Sequence, residues 1–186
     1  MNKRILNGSI LNCTFALTAL ISSANSFAEE VNTSIIEFSP NVGYYQFDGG
    51  REIDDAPFIG MGLGLFFSRS FAAILNYSRF DTELADGSSA GDIDIQKYHI
   101  DALYFFNTEQ KWRPYASLGY GQIDFKDSIQ QEANETNLSV GLGLSFQMTP
   151  KWSIRGDARN FHSFDESVND QTFMLTLGYR VGEGER

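Results

Sequence analysis

The chain has two histidines, His99 and His162, and a single cysteine, Cys13. His162 is followed by Ser163 and then by Asp165, the residue types of a Ser/His/acid relay. Neighbouring residues on a strand point to opposite faces, so a strand would hold His162 and Ser163 apart. Neither an HExxH motif nor a G-x-S-x-G elbow is present. No enzyme is expected, with a lipid-modifying site at His162 as the remaining alternative. Arg155, Asp157 and Arg159 alternate with Gly156 and Ala158, which on a strand makes a row of charges on one face. Asp54 and Asp55, and again Asp81, Glu83, Asp86, Asp92 and Asp94, offer the oxygen atoms that calcium or magnesium takes. The twelve-position calcium loop is missing, so solvated acidic connections are expected there, with no metal and no cofactor.

The elements that position these residues read as strands. Leu138, Val140, Leu142, Leu144 and Phe146 alternate with Ser139, Gly141, Gly143 and Ser145. Ile59, Met61, Leu63, Leu65 and Phe67 repeat the pattern against Gly60, Gly62 and Gly64. A helix, with a period of 3.6, cannot gather either set on one face. Six further segments run over 35–47, 71–80, 95–106, 112–123, 152–161 and 172–181. The total is about eight strands of about ten residues, the length a tilted strand needs to cross a bilayer. The connections at 68–70, 107–111 and 148–151 are short. Those at 48–57, 81–94, 124–135 and 164–170 are longer and acidic, and the two kinds alternate strictly. Alternating short turns and long loops are expected of an outer-membrane barrel.

The N-terminal segment fits export. Lys3 and Arg4 precede an apolar stretch centred on 15–21, and Ser26-Phe27-Ala28 ends it with small residues. This is the layout of a signal peptide over 1–28, cleaved after Ala28, with the barrel domain over 29–186. Cys13 lies inside that segment behind Asn12, so lipidation is not expected and the mature chain has no cysteine. Loss of Lys3 and Arg4 takes the net charge from -10 to -12. Such an acidic chain does not bind nucleic acid by neutralising phosphates.

The charges decide which face meets lipid. A soluble barrel would bury the Arg155 row in a dry core at high cost, whereas a polar lumen lets opposite charges pair. By parity the lumen set includes Glu37, His99, Asp101, Arg155, Asp157, Arg159 and Arg180. Two readings stay open: paired charges that fill the interior, or a network that gates a narrow water path. Glycines opposite the apolar face leave room for long side chains. Phe67, Phe71, Trp112, Phe146, Trp152 and Tyr179 fall at the short-turn end. Tyr44, Tyr45, Phe47, Tyr77, Phe80, Phe161 and Phe164 fall near the long-loop end. They are expected to form two aromatic belts at the membrane interfaces.

Several stretches resemble the transmembrane domain of the OmpA family, in its OprF-like branch. They are Ser39-Pro40-Asn41-Val42-Gly43-Tyr44-Tyr45, residues 53–58, 101–106 and 114–119, then Ser153-Ile154-Arg155-Gly156-Asp157-Ala158-Arg159, and Leu177-Gly178-Tyr179-Arg180. The resemblance implies an all-β, eight-stranded antiparallel barrel in the outer membrane of a Gram-negative bacterium, with both chain ends in the periplasm. It implies a structural or surface role in the envelope, or slow passage of small solutes. Outer-membrane lipids and lipopolysaccharide are the expected partners, with the barrel-assembly machinery during insertion, and the barrel is expected to be a monomer. Family members often add a peptidoglycan-binding domain. The chain stops at Arg186, so peptidoglycan binding is not expected. The family's usual final aromatic is replaced by Arg180-Val181, and Ile74 stands where relatives often carry an inward glutamate.

Overall fold

A computed structural model describes residues 35–50, 54–82, 93–126, 133–165 and 167–182. They belong to the compact unit Ser34–Arg186. The expected signal peptide, in the separate unit Met1–Thr33, lies outside the described residues.

The alternating segments form β1 (Ile35–Gln46), β2 (Ala56–Phe66), β3 (Phe71–Thr82), β4 (Ile93–Phe105), β5 (Trp112–Lys126), β6 (Ala133–Gln147), β7 (Trp152–Ser163) and β8 (Asn169–Val181). Each pairs antiparallel with its sequence neighbour, and β1 pairs with β8 to close the barrel. The strands run 11 to 15 residues, longer than the alternation alone marked out. Most of the extra length is at the long-loop end, where Asp124, Asn134 and Thr136 are polar and the hydropathy signal fades while the hydrogen-bonded ladder continues. The short turns sit where expected. In the turn after β4, Asn107 takes a left-handed φ of 51°, which asparagine tolerates better than most residues.

Apolar side chains face out. Leu142 is 71% exposed, and Ile59, Leu63, Leu118, Val140 and Leu175 are also exposed. Glu37, Asp101, Arg155, Asp157 and Arg159 are buried. This is the inverse of a water-soluble barrel and matches strands that meet lipid on one face and a polar interior on the other.

Two apolar clusters share the interior with the charged residues. Near the long-loop end, Tyr45, Phe47, Ala56, Phe58, Phe80, Ile95, Ile123 and Phe125 form one apolar cluster. Near the short turns, Phe66, Ala72, Ile74, Leu103, Phe105 and Tyr115 form a second. Neither cluster draws a buried member from β6, β7 or β8, whose inward residues are mostly polar or charged.

This corrects the expected outer belt. Tyr45, Phe47, Phe80 and Phe161 do not face lipid; they are buried inside. Their parity is the reason. Tyr45 follows the outward Tyr44, and Phe161 continues the inward row of Arg155, Asp157 and Arg159.

Glycine makes the narrow interior possible. A Cβ on Gly119 would approach Ser139 Oγ to 2.5 Å and His99 Nδ1 to 2.9 Å, and would strike the Asp101 carboxylate. On Gly178 it would lie 2.6 Å from Ser153 Oγ and 2.8 Å from Glu37 Cδ. Gly119→Leu is therefore expected to lower stability by about 1–3 kcal/mol through overpacking. Urea unfolding of the vesicle-refolded barrel would measure it, and an unchanged midpoint would mean the interior is slack at that level.

Candidate functional site

The polar layer is built from inward positions on several strands. Glu37 on β1 forms an ion pair with Arg155 on β7. Its other oxygen accepts from Arg180 Nε on β8 at 2.9 Å. Arg180 also donates to Gln147 Oε1 at 3.0 Å, and its guanidinium lies 4.2 Å over the Phe66 ring. One carboxylate thus holds two arginines against the short-turn cluster.

A second group centres on Arg159. Its Nη1 pairs with Asp101 Oδ1 at 2.8 Å and its Nε with Asp157 Oδ1 at 2.6 Å. Asn76 donates to the other Asp101 oxygen at 2.6 Å, and Tyr115 OH donates to Asp157 Oδ2 at 2.5 Å. His99 lies beside this group. Its Nε2 is 2.5 Å from Asn137 Oδ1, and its Nδ1 is 3.5 Å from Asp101 Oδ1. Charge-assisted bonds of this kind are the strong ones in a low-dielectric interior.

The geometry brings together every residue of the expected lumen set: Glu37, His99, Asp101, Arg155, Asp157, Arg159 and Arg180. It adds residues that the sequence reading did not name. Lys97 shares the parity of His99 and Asp101, and that parity is the signal that marks it as inward. Its Nζ lies 3.1 Å from the Phe161 ring centroid and 5.0 Å from that of Tyr45, a buried cation–π contact. It joins the charged layer to the outer apolar cluster. Glu135 accepts from Ser163 Oγ at 2.9 Å, and Asp170 accepts from Tyr45 OH at 2.9 Å. Both lie beyond the strand limits drawn from hydropathy.

Little space is left. A cavity of about 20 Å³ lies among Asn76, Ser78, Lys97, His99, Asp101 and Arg159, large enough for about one water.

The possible relay is not assembled. His162 Nδ1 meets Asn169 Oδ1 at 3.1 Å, Ser163 turns inward to Glu135, and Asp165 accepts from the Thr136 amide at 2.7 Å. Among the described residues no group of three or more His, Cys, Asp or Glu could hold a metal ion; Glu83, Asp86 and Asp92 lie outside them.

The interface aromatics frame this layer from outside. At the short-turn end Phe67, Trp112 and Trp152 are exposed, and Phe146 and Tyr179 are half-buried. Trp112 packs on Phe146 with ring centroids 4.5 Å apart, and Trp152 on Tyr179 at 4.7 Å. At the other end Tyr44 and Phe164 are exposed, and Tyr77 packs on Tyr98 at 5.1 Å.

The sequence profile of the outer membrane protein beta-barrel domain matches residues 13–180. The chain belongs to this outer-membrane barrel family. Solved structures of similar fold include Neisserial surface protein A, with a TM-score of 0.65 and 12% identity over 78% of this chain and 97% of that one. The N-terminal barrel domain of Pseudomonas aeruginosa OprF gives 0.59 and 16% over 78% and 97%. Ail, the attachment invasion locus protein of Yersinia pestis, solved with the heparin analogue sucrose octasulfate, gives 0.57 and 22% over 80% and 99%. At these identities the likeness establishes the fold. No curated protein sequence matches the chain. Family membership and the eight-stranded closed barrel place the chain in the bacterial outer membrane.

Proposed function

We propose that this outer-membrane barrel is a closed structural and surface protein of the envelope, neither a pore nor an enzyme. One observation carries the reading: the interior charges are paired with one another, and the cavity among them measures about 20 Å³, room for about one water. A conducting path needs a continuous water-filled route, and paired side chains occupy this one. The competing reading is a narrow pore for small solutes or ions. Planar-bilayer recording separates the two. The refolded protein is expected to give no channel steps, whereas reproducible steps of defined size would overturn the closed reading.

A non-enzymatic role is supported by the separate partners of His162, Ser163 and Asp165. Lipopolysaccharide and the other outer-membrane lipids are the proposed surroundings, reached by export on a signal peptide cleaved after Ala28 and by insertion through the assembly machinery. The charge of the long loops argues against a polysulfated ligand of the kind seen on Ail. Asp48, Asp54, Asp55, Asp81 and Asp165 would repel it.

A further inference from the structure

The short-turn end carries a charge pattern that the closed interior does not use. Each short turn places a basic residue beside an interface aromatic: Phe67 with Arg69, Lys111 with Trp112, and Lys151 with Trp152. Arg69, Lys111 and Lys151 are all exposed. The long connections at the opposite end are acidic.

These cations are held at a fixed depth. The Gln147 amide donates to Lys111 O at 2.8 Å, and the Arg180 amide to Lys151 O at 2.8 Å. Thr149 Oγ1 accepts from the amides of Lys151 at 3.3 Å and Trp152 at 3.0 Å. The aromatic neighbours are packed on Phe146 and Tyr179 and mark the interface between hydrocarbon and headgroups. A residue just beyond them, at about 3.3 Å per residue along the strand, lies at the level of lipid phosphates. Arg69 is already paired with Glu109 at 3.0 Å, in the open. Lys111 and Lys151 form no ion pair among the described residues.

We propose that the short-turn rim binds anionic phospholipid headgroups of the inner leaflet, with phosphates held by Lys111 beside the Trp112–Phe146 pair and by Lys151 beside the Trp152–Tyr179 pair. Basic residues at a membrane surface attract anionic lipids, and the attraction weakens as salt screens it. The acidic outer end has the opposite preference, so the site belongs to one leaflet only.

The full chain would be refolded into bilayers containing trace spin-labelled phosphatidylglycerol or phosphatidylcholine, and the lipid at the barrel surface compared. The native protein is expected to favour phosphatidylglycerol several-fold, with the preference falling as salt rises. Lys111→Gln combined with Lys151→Gln should bring it close to unity. Lys111→Arg with Lys151→Arg should keep it, and Arg79→Gln at the other end should not change it. No preference in the native protein, or one that ignores salt or survives the glutamine pair, overturns the proposal. So does sedimentation with cell-wall sacculi that the glutamine pair abolishes in the absence of any lipid preference. The salt titration of the native protein reads the result even if the paired variant folds poorly.

Discussion

Glu37→Gln is expected to destabilise the barrel by about 3–5 kcal/mol, the cost of removing one partner from a buried charge group. Glu37 is fully buried and accepts from both Arg155 and Arg180. Glutamine keeps the volume and takes away the charge. Arg180 would keep its bond to Gln147 and its place over Phe66. Arg155 has no comparable refuge, because its cross-strand neighbours Ser145 and Thr176 offer only neutral hydroxyls. Urea unfolding of the vesicle-refolded protein, followed by fluorescence of Trp112 and Trp152, measures the loss. Adding Arg155→Met should recover part of it, since the stranded charge goes with it. A midpoint that Glu37→Gln leaves unmoved would mean that water screens this layer and that the barrel is not closed there.

Leu142→Arg is expected to cost about 2–4 kcal/mol, the penalty for a cation at mid-depth on a lipid-facing strand. Leu142 is the most exposed of the outward apolar residues, at 71%, and lies on β6 opposite Ala116 and Ala158. It stands four residues from the interface aromatic Phe146, roughly 13 Å along the strand, near the middle of an apolar band about 25 Å tall. In water the same substitution at so exposed a position would fall within about 0.5 kcal/mol of neutral. Unfolding from bilayers compared with unfolding from detergent would measure it. A variant as stable as the native protein in bilayers would contradict a lipid-facing β6.

Alternation of residue types made the barrel legible from the chain alone, because period two is a direct imprint of strand geometry. The charged lumen positions followed from the same parity. The partnerships within that layer did not follow. Arg159 reaches Asp101 from β7 to β4, across the barrel, and such a meeting depends on strand stagger, which no single strand encodes. Lys97, two positions before His99, carries the same inward parity, but a lysine within a strand is equally compatible with an exposed face. Position along the strand gives the height of Tyr45, Phe47, Phe80 and Phe161 but not their face, and parity turns them inward, out of the interface belt. Glu135 and Asp170 lay past the point where hydropathy still alternates.

The charge triad around Glu37 also has a kinetic meaning. Seven of the eight strand pairings are hairpins between sequence neighbours, and β1–β8 alone joins the two ends of the chain. Glu37 and Arg180 are 143 residues apart. Loop-closure entropy opposes that contact more than any hairpin contact, so it forms last, once the hairpins are in place. Interactions that form after the rate-limiting step act on unfolding and leave folding almost untouched. Glu37 with its two arginines is then a clasp fastened last, and it governs how long a finished barrel persists, not how fast one is made.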